Sequence, residues 1–223
     1  MITLMRTAAT VVLTAILPLS TPAAAETKAA APTVLPIGVA VSALPTADES
    51  RTGYARTAFK HWTAGDNPTD GCNTRQEVLI SEAVVAPEIG PRCSLTGGTW
   101  FSYYDEVEVN GASGLDIDHM VPLAEAWDSG ASAWTAARRE AYANDQGQAS
   151  SLVAVTARTN RSKSDQDPAE WLPPASGALC RYGAEWTATK LRWGLTVDAL
   201  EKDRLLDIAA GCGGTTVTYT PAS

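Results

Sequence analysis

Asp118 and His119 stand side by side in the stretch GLDIDHMVPL, and further along Asn160 and Lys163 follow in TNRSK. A carboxylate and a side-chain amide oxygen brought to one point suit a hard divalent cation such as Mg²⁺ or Mn²⁺, which takes oxygen ligands and retains water. An imidazole beside them, with an ordinary pKa near 6.5, is largely neutral at pH 7 and can accept a proton from an attacking water. The cation would polarise a phosphate and stabilise charge on the leaving oxygen. These parts together suffice for phosphodiester hydrolysis. The chain has only two histidines. The other, His61, reads as a partly exposed residue on a helix spanning residues 51–63.

Such residues need elements that aim them at one another. Leu115, Asp116, Ile117 and Asp118 alternate apolar and polar, the period of a half-buried strand. Pro122 stops that strand and can open a helix over 123–127. LVAVT at 152–156 reads as a short buried strand, and TNRSK at 159–163 as a short helix directly after it. A strand, a long connection, a second strand and a helix can bring the end of the first strand and the helix to one place.

With those residues in view, DIDHMVPL followed by LVAVTARTNRSKSDQDP resembles the HNH nuclease superfamily with its ββα-metal motif. More closely it is similar to secreted bacterial HNH proteins carrying a DH…N…NxxK pattern, over about residues 51–212. The resemblance implies an α+β fold, a ββα-metal core with added helices and two disulfides. It casts His119 as general base, Asp118 and Asn160 as ligands of Mg²⁺ or Mn²⁺, and Lys163 as a contact to a phosphate or to the site's carboxylates. The middle asparagine of the pattern, which orients the base, falls on Asn144, with a backbone carbonyl as the alternative. Asp116 shares the ideal-strand face of Asp118, as a supporting group or a solvent-facing carboxylate. Arg158 and Arg161 are the candidate substrate-binding residues, and Arg138 and Arg139 lie on the connection.

Around this unit, residues 1–25 read as a signal peptide, with Arg6 before an apolar run and small residues up to Ala25. Residues 26–48, rich in Ala, Pro and Thr, read as a flexible leader, 49–213 as the nuclease-like domain and 214–223 as a loose tail. The expected product is secreted, without stable membrane association. Cys72, Cys93, Cys180 and Cys212 form an even set in an exported chain, which favours two disulfides. Of the three connectivities the sequence-local one, Cys72–Cys93 with Cys180–Cys212, is favoured; a four-cysteine zinc site lacks its usual CxxC spacing. Residues 77–85 read as a strand, with a helix as the alternative, 99–109 as strands, and Asn110-Gly111 as a hairpin turn into 115–118. Helices are expected over 133–143, 179–193 and 197–210.

A net charge of −8 argues against a protein that coats nucleic acid but leaves room for an enzyme engaging a few phosphates, DNA foremost. No Gly-x-Ser-x-Gly elbow and no HExxH motif is present, which removes two other hydrolase classes. The competing reading is a secreted, non-catalytic binding module with the same fold, in which Asp118, His119 and Lys163 only pair among themselves.

Overall fold

Asp118 and His119 end a strand, as the alternation predicts, and the rest of the chain encloses it. The computed structural model describes residues 31–223; the expected signal peptide lies outside them. In chain order the elements are β1 (Thr33–Pro36), α1 (Ile37–Ala43), α2 (Thr74–Ser81), β2 (Glu88–Gly90), β3 (Ser94–Thr96), β4 (Thr99–Ser102) and β5 (Val107–Asn110). They continue with β6 (Leu115–His119), α3 (Leu123–Asp128), α4 (Ala136–Ala143), β7 (Leu152–Thr156), α5 (Ala157–Lys163), α6 (Leu179–Trp193), α7 (Ala199–Gly211) and β8 (Thr216–Tyr219). The strands pair antiparallel in four two-stranded sheets, β1–β8, β2–β3, β4–β5 and β6–β7. The fold is α+β, and the disulfides are Cys72–Cys93 and Cys180–Cys212, the sequence-local pairing.

β6, β7 and α5 form the ββα unit. Register places Ile117 opposite Ala154, Asp118 opposite Val153 and His119 opposite Leu152. A two-stranded ribbon buried on both faces must satisfy two cores. Leu115, Ile117, Leu152 and Ala154 pack with Val78, Leu79 and Trp100 in a small core. Val153 and Val155 join the large core, with Tyr104, Met120, Tyr182 and Trp186. Asp118, opposite Val153, therefore points a carboxylate toward apolar side chains, where it needs partners to remain charged.

Several elements differ from expectation. Residues 51–63 hold only a 3₁₀ turn, Arg56–Ala58. Trp62 has a φ of 58°, which no α-helix admits, and Phe59 and Tyr54 are drawn instead into an aromatic cluster with Trp127. At 77–85 the helical alternative is the one found as far as Ser81, where α2 ends. There a capping box decides: Asn73 accepts from Gln76 N while the Gln76 side chain accepts from Asn73 N. The turn at Asn110-Gly111 does not join β5 to β6. β5 returns on β4 instead, with Thr99 opposite Asn110, and β6 finds its partner in β7.

The leader and tail are also structured where described. β1 pairs β8 across almost the whole chain, Thr33 opposite Tyr219, and Ile37, Ala40, Val41 and Leu44 enter the large core. Burying those apolar residues offsets the cost of ordering the segment, so residues 33–43 of the expected flexible leader and 216–219 of the expected loose tail are held in regular structure.

Candidate active site

α5 opens where Thr156 accepts a hydrogen bond from Thr159 N, and it ends at Ser164 with a φ of 53°. Asn160 and Lys163, three residues apart, share one face of this helix, and that face is turned to β6. Lys163 is fully buried. Its ammonium donates to Asp118 Oδ2 at 2.5 Å, to the His119 carbonyl at 3.0 Å and to the Met120 carbonyl at 2.9 Å. All three of its protons are used. Tyr104 OH donates to the same Asp118 oxygen at 2.7 Å. Burial raises the Asp118 carboxyl above its ordinary value and lowers the Lys163 ammonium, while each charge favours the other. Lys163 is thus the internal counter-ion of Asp118, and of its two expected contacts only the carboxylate is reached.

His119 Nε2 lies 2.9 Å from the Ala143 carbonyl. A carbonyl only accepts, so Nε2 carries the proton and Nδ1 of the neutral ring is left as an acceptor. Ala143 ends α4, and its carbonyl is one of those that a helix C-terminus leaves unpaired. Asn144, the residue expected to orient the base, does not do so through its side chain. Its Oδ1 accepts from Thr63 N and Thr74 Oγ1, both at 3.0 Å. Its Nδ2 donates to the Lys60 and Glu140 carbonyls, both at 2.8 Å. It fastens the helix end whose carbonyl meets the imidazole.

The imidazole is 7% exposed and Trp62 stacks on it, with ring centroids 5.3 Å apart and planes 29° apart. Burial, first, then the charges of His61, Arg56 and Lys163, push its pKa down to about 3 against the Ala143 hydrogen bond. It is therefore neutral at pH 7. The other histidine is not on a helix. The His61 ring lies 6.3 Å from His119, with its Nδ1 2.9 Å from the Phe59 carbonyl.

One cavity of about 470 Å³ gathers Asp118, His119, Asn160 and Arg161, with Tyr54, Arg56, Ser164 and Asp165 on the same wall. Asn160 Nδ2 donates to Asp116 Oδ2 at 3.2 Å, so Asp116 sets the amide's orientation. Among the described residues the other oxygens, Oδ1 of Asp118 and Oδ1 of Asn160, have no hydrogen-bond donor. A carboxylate oxygen and an amide oxygen bordering one pocket are the donor set of a hard divalent cation rather than of zinc. The residues present fit that group.

Arg161 stands 3.6 Å from Asp116. Arg158 stands 3.6 Å from Asp105 and is not on the cavity wall. Arg138 and Arg139 are engaged elsewhere: Arg138 stacks over Trp134 and Trp193, and Arg139 donates to the Ala58 and Ala131 carbonyls. Sequence reasoning missed Tyr104, Trp62 and the Ala143 carbonyl. The nearest signal was the adjacency of Trp62 to a histidine. A carbonyl belongs to every residue and leaves none.

Residues 91–208 match the family described as GmrSD restriction endonucleases, C-terminal domain. An uncharacterized secreted protein of Arthroderma benhamiae is 36% identical over 202 residues, covering 90% of this chain and 97% of that protein. No solved structure matches. Among the described residues no helix is long and apolar enough to cross a membrane.

Proposed function

The chain belongs to the GmrSD restriction endonuclease C-terminal domain family, and from that premise we propose that it is an exported, metal-dependent HNH-type endonuclease hydrolysing phosphodiester bonds in DNA. The observation that carries the reading is the fixed tautomer of His119: its Nε2 proton is committed to the Ala143 carbonyl, so Nδ1 is the basic atom at a pocket shared with Asp118 and Asn160. His119 takes the proton of an attacking water at Nδ1, and Trp62 and the Ala143 carbonyl keep the ring in plane while it does so. An anionic phosphodiester in the pocket favours the imidazolium and raises the ring's basicity when substrate is present. Asp118 and Asn160 would hold Mg²⁺ or Mn²⁺ through their free oxygens; when bound, such an ion polarises the phosphate and stabilises the leaving oxygen. Lys163 and Tyr104 fix the Asp118 carboxylate, and Asp116 fixes the Asn160 amide. Arg161 flanks the opening as a substrate contact.

Export is supported by the secreted relative and by two disulfides, which persist in oxidising compartments. The purified protein is expected to nick plasmid DNA with Mg²⁺ or Mn²⁺ and to stop in EDTA. His119→Ala should lower the rate about 10²–10⁴-fold, the usual worth of a positioned base. Wild-type protein inert toward DNA and RNA with every ion tried would favour the non-catalytic binding module. Undiminished cutting by His119→Ala would remove His119 from the role of base.

A further inference from the structure

The cavity that holds His119 needs a cation to meet a phosphate, and the candidates are few. Lys163 is fully buried, with every proton committed. Arg158 is off the wall, and Arg51 is paired with both Asp128 and Asp165. Arg161 is on the wall but has the Asp116 carboxylate 3.6 Å away. Arg56 alone lines the cavity with no carboxylate oxygen within 4.0 Å among the described residues.

Its support is rigid. The 3₁₀ turn Arg56–Ala58 is closed by Ala58 N donating to Ala55 O at 2.8 Å and Phe59 N to Arg56 O at 3.1 Å. Phe59, 1% exposed, anchors the turn in the large core, and Arg139 Nε holds the Ala58 carbonyl at 3.2 Å. A guanidinium is planar and always charged, and it can offer two parallel donors to one phosphate.

Resting on the endonuclease reading of this pocket, we propose that Arg56 is a catalytic residue that grips the phosphate at the site of cleavage, in the cavity it lines together with Asn160. Arg161 then serves the flanking backbone. The substrate class is a nucleic-acid phosphodiester bound through its backbone, with no base read by this pair.

The test separates contact from folding. Anisotropy of a labelled duplex in EDTA, titrated with wild type, Arg56→Ala, Arg56→Lys and the distant control Arg204→Ala, gives affinity against salt. Loss of one phosphate contact should reduce the slope of log K against log salt by about 0.9 in Arg56→Ala. Arg56→Lys should restore the slope, and Arg204→Ala should match wild type. With Mg²⁺, kcat should fall about 100-fold in Arg56→Ala and recover only in part in Arg56→Lys, because a point charge replaces the fork. If wild type cuts DNA and Arg56→Ala keeps both the slope and kcat, Arg56 is not the phosphate cation and the endonuclease reading stands. If wild type neither binds nor cuts nucleic acid, both fall together.

Discussion

Asp118 is buried against the large core because strand register places it opposite Val153, and the chain supplies a lysine to meet it. Such a pair gains little over an apolar pair of the same size, but removing one partner strands the other charge. Lys163→Met is therefore expected to lower unfolding free energy by about 3–5 kcal/mol, measured by urea titration. Lys163→Met with Asp118→Asn should recover most of that loss, because no charge is left without its partner. A single variant that costs under about 1 kcal/mol would mean that water reaches Asp118 and that Lys163 is not its counter-ion. At this scale the grouping of Asp118, His119 and Asn160 around one cavity was legible, because the proposed chemistry calls for those side-chain types. Tyr104 and Arg56 were not, since a phenol or guanidinium reveals its target only once the fold sets the direction.

The ββα unit was legible as elements: LVAVT and the helix after it have the local pattern that their burial demands, and α6 falls on the expected residues. The segment before it was not. Residues 51–63 show helical spacing, yet their aromatics are claimed by tertiary contacts, and the strained turn at Trp62 places an indole over His119. Asn144 is what joins these elements, since its amide ties the 60–63 segment to α2 and α4. Asn144→Asp keeps the shape and the two acceptor contacts, but it sets a carboxylate oxygen against the Lys60 and Glu140 carbonyls. The expected loss is about 2–3 kcal/mol of stability, from two acceptors left facing an acceptor in a half-buried place. Because the Ala143 carbonyl moves with that helix end, plasmid nicking by the folded variant should also slow about tenfold. Wild-type cutting by a variant of lowered melting temperature would show that the carbonyl is held without Asn144.

Across the whole molecule, pairing between β1 and β8 closes the chain, and a strand whose partner lies at the opposite terminus leaves no local trace in sequence. Glu49 stands in a group of carboxylates, with Glu125 on α3, Glu201 and the capping Asp198 at α7, and Asp167, and among the described residues Lys190 of α6 is the cation bonded to them. Burial first, then Glu125, Glu201 and Asp198, push Glu49 up to about 8, and burial raises Glu201 to about 7. A raised carboxyl keeps its proton in the folded state while the unfolded chain releases it above the ordinary 4.5. The stability it contributes is complete below that value and is lost as pH rises through about 7 and 8. His119, lowered to about 3, acts on the other flank: its contribution is present above 6.5 and fades as pH falls below it. The melting temperature should therefore peak in mildly acidic buffer and decline toward pH 8.5. Glu49→Gln removes the least shielded of these carboxyls and can donate to a neighbouring one. After discounting for solvent at its partly exposed edge, the gain at pH 8.5 should be about 1 kcal/mol, or roughly 2–4 °C. At pH 5, where wild-type Glu49 is already protonated, the two proteins should melt together. Parallel curves at both pH values would mean that Glu49 is ionised throughout and that the carboxylate group is held by solvent rather than by protons.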